Sequence, residues 1–498
     1  MEDSQEEFSR DPEEDSTKKQ TEESGLQLSR KDKEFREFTL NGNMWKVLWQ
    51  VAMPLCLYQC LGQVFGVLDT MMASHIGSNT VSAVAYLAQI NSIISAVGGG
   101  LAVGASLKIS EAYGQGKYDL LKKRVSTLYA MCGILSVCIL MIIPFANQVL
   151  AFAKTPPELI AEGSTYFRLQ LFGMVVMFFN NVFIAIERAR GETKLIMKLN
   201  IVVILAKTSL TALFVYVLQG SIVTMSLATI ISQSLLMAVA LLRMKKEHNA
   251  FGFSLKFISF RKNLTWPMIL QSVPLIVERS LFSAGKLMVN SMSTLYGVLT
   301  VGALGVSNNL GGFAAAPQNG LQEGAASVIS QNLGAGRFDR AMDAFKKVMV
   351  YNVAAGAIAY AIAMGFLPQI SGAFSKNDPE FQRLIAEIFT FEAMGFIPLG
   401  INSSVMALLY GLGKTKISLI ISMSRVFIFR VPVLWFLQHF TNIGSESVGI
   451  VMMVSNVSVA FVAVLAAAIV IPKAKKQYTK HEEINGKRSK NRERAYNI

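Results

Sequence analysis

Apolar residues in this chain fall in long, nearly unbroken runs separated by short polar patches. A helix that crosses a bilayer needs about 20 consecutive, mostly apolar residues. Twelve segments meet that length: 46–72, 80–107, 123–146, 163–186, 196–218, 221–243, 265–294, 299–328, 345–367, 384–410, 417–438 and 447–471. Alternating segments of about 10 residues, the mark of a membrane β-barrel, do not occur. The pattern therefore predicts an all-α integral membrane protein. Its ends, 1–43 and 472–498, are dense in charge and read as cytoplasmic tails, the first disordered and the second basic. Between them, 44–243 and 264–471 hold six spans each, joined by a polar linker at 244–263.

Lys and Arg in short connections resist translocation, so their distribution sets orientation. Alternate connections are rich in them: Lys108 to Arg124, Arg188 to Lys198, Arg243 to Lys262, Arg337 to Lys347, then Lys414 and Lys416. The opposite connections hold only Lys154, Lys376 and Arg383. Gain or loss of one span would scramble this bias, so twelve spans with both termini cytoplasmic are expected, in the inner cell membrane.

Composition agrees: 52% of the 498 residues are hydrophobic and 16% charged, and the mean hydropathy is +0.42. Soluble domains average about 25% charged. The net charge of +14 then records topology rather than a nucleic-acid partner. Cys56, Cys60, Cys132 and Cys138 lie inside apolar runs without metal-type spacing and read as packing thiols. The first tail has no apolar core of the kind a signal peptide needs.

Sliding the sequence over itself by 220 residues aligns Pro54 with Pro274, Gly77 with Gly297, Gly100 with Gly320, Gly104 with Gly324 and Ser110 with Ser330. The same shift lays "GQGKYD", from Gly114, over "GAGRFD", from Gly334. Neither has the GxxxxGK[ST] spacing of a phosphate loop, so these glycines are expected to stop helices at the cytoplasmic face. Further on, "RARGETK" meets "YGLGKTK" at an offset of 222. Two six-helix halves of the same orientation are related by an axis along the membrane normal, and a central cleft between them suits alternating access.

These paired motifs, with "LDTMMASHIG" ending the first span and "SRVFIFRVP" in the eleventh, resemble the multidrug and toxic compound extrusion (MATE) transporters over about residues 45–471. The likeness is greatest to the bacterial DNA-damage-inducible (DinF-like) branch. It implies two six-helix lobes around a V-shaped cavity and export of mostly cationic organic compounds against inward H+ or Na+. It also implies no cofactor beyond that coupling ion.

Charges inside a membrane are costly and mark function by default. Asp69, in the outer part of the first span, stands where the family keeps a cation-linked aspartate, and a Na+ or proton site is expected there. Lys207 departs from the family: it falls near a usual Asn, and Thr211 near a usual Asp. Lys207 is expected either to pair with Asp69 or to snorkel to the interface. Glu278, Arg279 and Lys286 interrupt the seventh span. Glu278 resembles a glutamate of some Na+-coupled relatives and is expected, with Asp69 and Lys207, to take part in ion coupling. It is also expected either to meet cationic substrate in a cavity that Asp69 and Lys286 help to line or to be neutralised by Lys286, and the acid that relatives keep in the tenth span is counted here as Leu399. Arg425 and Arg430 are expected to brace the second lobe. Amides at Gln59, Gln63, Gln89, Asn91, Asn180, Asn181, Asn308, Asn309, Gln318 and Asn319 are candidates to line the cleft or to tie helices together.

A flippase for lipid-linked oligosaccharide or cell-wall precursor is the alternative from the same superfamily, and would call for a strongly basic cavity. A membrane-embedded enzyme or a channel is more distant, because no HExxH or serine-elbow motif and no paired catalytic carboxylates occur. Small organic substrates and the bilayer are the partners expected of a monomer.

Overall fold

The computed structural model describes residues 28–76, 78–152, 157–245, 249–375 and 378–496. The helices of the first half are α1 (Arg30–Asn41), α2 (Met44–Ile76), α3 (Ser78–Gln115), α4 (Tyr118–Ile142), α5 (Ala146–Phe152), α6 (Pro157–Arg190), α7 (Thr193–Ala212) and α8 (Ile222–Met244). The second half contains α9 (Lys262–Ser293), α10 (Val298–Gly334), α11 (Phe338–Gly365), α12 (Leu367–Ser375), α13 (Pro379–Met394), α14 (Phe396–Gly411), α15 (Thr415–Phe427), α16 (Val431–Phe440) and α17 (Glu446–Tyr496). Among the described residues nine helical stretches are long and apolar enough to cross a membrane, and α13 with α14, bent by 43° about Gly395, make a tenth. Helices α9 and α10, of 32 and 37 residues, are also long enough at about 1.5 Å per residue. They carry the charges and amides of the site described below. With them the spans match the twelve that the hydrophobic pattern predicts.

Breaks within spans have local causes. Helix α15 ends at Phe427 and α16 begins at Val431, where Pro432 at the first turn supplies no N–H to continue the helix. Pro54, Pro274 and Pro317 lie inside α2, α9 and α10.

The repeat is visible in the way the halves meet. At Gly100 an added Cβ would lie 2.7 Å from the Ile276 backbone nitrogen, and at Gly320 2.6 Å from that of Cys56. At the 220-residue offset these are one contact made twice. Gly104 against Ser272 and Gly324 against Ala52 repeat it one turn further on. Ser110 and Ser327 share a hydrogen bond of 3.0 Å, and Ser330 donates to the Leu107 carbonyl at 2.8 Å. The interface is thus isologous, each lobe offering the same surface to the other. One buried core crosses it, from Val47, Leu48 and Val51 of α2 to Ala325, Ile329 and Leu333 of α10.

The glycine loops close helices as expected. Gly116 and Gly336 have φ of 72° and 75°, a left-handed conformation that suits glycine. Lys117 N–H bonds the Ala112 carbonyl and Arg337 N–H that of Asn332, the six-to-one bond of a Schellman cap. Gly191 and Gly413 end α6 and α14 in the same way.

One expectation is corrected. Residues 30–41, assigned to a disordered tail from their charge, form α1, and its Asp32 is only 1% exposed. Ser29 and Asp32 make a capping box that starts the helix. Asp32 then forms a two-pronged ion pair with Arg190, and Arg36 donates to the Tyr113 and Gly114 carbonyls at 2.9 Å each. At the other end Arg337 donates to the Leu40 carbonyl at 2.7 Å, and Arg340 to those of Thr39 and Gly42 at 3.1 and 2.8 Å. Cations of the second lobe thereby cap the orphan carbonyls of a helix anchored to the first. Helix α1 is a strap across both lobes on the face with the basic loops.

Candidate functional site

Charged side chains gather at two levels where the lobes meet. At the first level lies Glu323, on α10 between Gly320 and Gly324, whose lack of side chains brings α10 close to α2. Its carboxylate pairs with Arg188 of α6 and, at 3.1 Å, with Arg279 of α9. Arg188 is buried, with its side chain 5% exposed. One acid therefore holds a cation from each lobe, 135 residues away in one case and 44 in the other.

Glu278 faces into the second lobe, while its neighbour Arg279 joins the Glu323 cluster. Its carboxylate accepts from Tyr410 Oη at 2.9 Å, Ser422 Oγ at 2.9 Å and Ser418 Oγ at 3.0 Å. Three hydroxyls from α14 and α15 satisfy the acid, which is what a carboxylate away from bulk water requires. Neutralisation by Lys286, one of the two expectations, does not occur: no ion pair joins them among the described residues.

The second level is further along α9. Phe282 has Lys286 Nζ 5.4 Å, Arg425 Cζ 5.0 Å and Arg430 Cζ 5.9 Å from its ring centroid. Arg430 donates twice to Ser455 Oγ, at 3.1 and 3.2 Å, and Arg425 donates to Asn456 Oδ1. Both thus tie the broken eleventh span to α17. Glu392, at the end of α13 before the bend, accepts from Ser307 Oγ.

The amides divide into two groups. Asn180 is 2% exposed and donates at 2.9 Å to both the backbone and the side chain of Gln233, so it ties α6 to α8 and does not line the cleft. Gln318, fully buried, donates to the Phe396 carbonyl at 2.9 Å. Gln63 is exposed on α2 and its amide lies against Gly312 of the opposite lobe. Asn309 and Asn319 are exposed, and Gln59, Asn91, Asn181 and Asn308 half-buried.

In the first lobe Lys207 is half-buried on α7 and engaged in an interaction, one turn before the fully buried Thr211. The side chains of Asp69 and Gln89 lie outside the described residues, as do Lys154, Lys246 and Lys376. A cavity of about 580 Å³ is lined by Trp45, Lys46, Trp49, Lys194, Lys198 and Tyr351 among others, and by none of the residues of the two charged levels.

Glu323 and Glu392 are absent from the sequence-based candidates. Both are acids inside predicted spans, the signal that selects Glu278. For Glu392, the count that leads to Leu399 in the tenth span overlooks an acid seven positions earlier.

The MatE family profile matches residues 54–216 and 274–436, once in each lobe and at the repeat's own offset of 220. The chain is similar to the probable multidrug resistance protein YoeA of Bacillus subtilis (strain 168), 22% identical over 413 residues, 80% of this chain and 88% of that one. It is also similar to the multidrug export protein MepA of Staphylococcus aureus (strain N315), 22% identical over 311 residues, 62% of this chain and 68% of that one. A crystal structure of MATE in the straight conformation superimposes with a TM-score of 0.85 over 90% of this chain and 100% of that one, at 19% identity, a likeness of fold. With the profile on both lobes and covering more than half of its length, the chain belongs to the MatE family.

Proposed function

We propose that the protein is a secondary active exporter of organic compounds that works by alternating access in exchange for H+ or Na+. The observation that carries this reading is the isologous contact between two repeated lobes. Equivalent faces that meet at one side of a cleft suit two lobes that rock between openings to either side of the membrane. The Arg188–Glu323–Arg279 cluster and the α1 strap stabilise the arrangement closed on the basic face. The names of YoeA and MepA, a multidrug resistance protein and a multidrug export protein, support organic compounds as cargo. They give the flippase alternative no support.

In this reading Asp69 exchanges the coupling ion in the first lobe, with Lys207 on α7 as the competing cation. Binding of H+ or Na+ at Asp69 neutralises the carboxylate and weakens its hold on a positively charged partner. The basic loops, by their charge, keep that face and both termini in the cytoplasm. Transport by the purified protein in liposomes, with a pH or a Na+ gradient imposed separately, tests the proposal. A fluorescent organic compound that moves under at least one gradient supports it. Movement under neither, with a lipid-linked sugar crossing instead, refutes it.

A further inference from the structure

We infer that the cationic pocket around Phe282 in the second lobe is a binding site for an oxyanion, a carboxylate or phosphate attached to an apolar body. The inference deepens the export reading, on which it rests for treating the ligand as cargo.

The argument begins with charge balance. Lys286, Arg425 and Arg430 all lie within 5.9 Å of one ring centroid. Among the described residues none of the three has a carboxylate oxygen within 4.0 Å. Glu392 is the acid that interacts with all three at longer range, and one of its oxygens is held by Ser307. Three cations against one acid leave an excess of positive charge. Arg425 is ten positions beyond Thr415, about 15 Å into its span. Uncompensated charge at such depth is costly, so the site favours an incoming counter-ion.

Donor geometry agrees. A guanidinium has five N–H donors and an ammonium three. Ser455 and Asn456 occupy part of the guanidinium sets, and Arg425 Nε is buried without an acceptor. Lys286 is exposed, although it lies inside the seventh span. It shares a helix face with Ser283, three positions earlier, which meets Ser92 of the first lobe at 3.2 Å. The face of α9 that carries Lys286 therefore borders the other lobe and, in the export reading, the path of cargo. Arginine forks match carboxylate and phosphate, and Phe282 offers an apolar surface to the body that carries the anion.

A simple organic cation is repelled here, whereas a molecule with an acidic group is not. Cargo that uses this pocket is therefore zwitterionic or anionic, in contrast to the cations implied by the family likeness.

The test uses two dyes that share one ring system. Rhodamine 110 has a free carboxylate, and rhodamine 123 is its methyl ester. Binding of each to the full-length protein in lipid-depleted detergent is followed by fluorescence polarisation. The carboxylate dye is expected to bind about tenfold more tightly, as a charge-assisted hydrogen bond implies. Lys286→Met, whose thermal unfolding is checked alongside, weakens binding of the carboxylate dye without weakening that of the ester, so the preference is lost. Lys286→Arg retains it. Displacement of rhodamine 110 by phosphatidylglycerol vesicles but not by zwitterionic phosphatidylcholine identifies an anionic lipid headgroup as an occupant, and displacement by benzoate or inorganic phosphate but not by phosphatidylglycerol identifies a solute anion; both outcomes support an oxyanion site. Equal binding of the two dyes, or a preference untouched by Lys286→Met, overturns it. Gradient-driven export of the ester without any carboxylate preference removes the site and leaves the export reading. A Lys286-dependent preference with no export of either dye does the reverse.

Discussion

Arg188 of the first lobe and Glu323 of the second form an ion pair across the lobe interface, with Arg279 on the same carboxylate at 3.1 Å. The pair lies where glycines bring the helices closest, so in the proposed alternating-access cycle it is made only while this side is closed. Removing one partner of a buried pair costs about 3–5 kcal/mol, because the other charge is left without a partner. Glu323→Gln is accordingly expected to shift the lobes toward the arrangement open on the basic face. Spin labels at Gln115 and Asp339 report this as a longer distance, and an unchanged distance distribution would contradict the latch.

The close approach of α3 and α9 gives a second expectation. A Cβ at Gly104 would lie 2.7 Å from the Ser272 nitrogen, a contact that neither backbone is able to relieve alone. Gly104→Val should lower stability by about 1–3 kcal/mol through overpacking. Gly62, with open space where its Cβ would stand, serves as the control: Gly62→Ala should leave the thermal midpoint at or above that of the parent.

Helix α1 is fastened chiefly through Asp32. Asp32→Ala removes both prongs of the Arg190 pair, worth about 1.5–3 kcal/mol for a hydrogen bond to a charged group. Cleavage by trypsin after Lys33 or Arg36 should then accelerate by about tenfold or more. Unchanged protection would show that the two arginines of the second lobe hold the strap by themselves.

Glu278 separates charge from hydrogen bonding. In Glu278→Ala the hydroxyls of Tyr410 and Ser422 lose their acceptor, while Ser418 keeps the Thr415 carbonyl at 2.7 Å, and stability should fall by about 1–3 kcal/mol. Glu278→Gln keeps one acceptor oxygen and should recover most of that loss in a thermal melt. No recovery would mean that the carboxylate's charge itself holds the helices.

Much of the architecture was legible because the bilayer constrains it strongly. Runs of about 20 apolar residues and basic loops on one face need no knowledge of contacts. The 220-residue offset predicted two lobes, and in the structure it also pairs their contacts, Gly100 with Ile276 and Gly320 with Cys56. Helix α1 was illegible because its charges resemble a solvated tail: only the fold shows that Asp32 and Arg36 find partners more than 70 residues away. Asn180 and Gln318 read equally well as cleft amides or helix ties, and their burial decides for the second. Glu323 needed its partner Arg188, from a span in the other half, before its position carried meaning.

Ion-driven export by rocking lobes is the central claim, and transport in proteoliposomes with Asp69→Asn beside the parent protein tests it most directly. The account predicts gradient-driven movement of a rhodamine dye in the parent under a pH or a Na+ gradient, abolished in Asp69→Asn at equal protein content. Movement under neither gradient in the parent, or undiminished movement in Asp69→Asn, would contradict it.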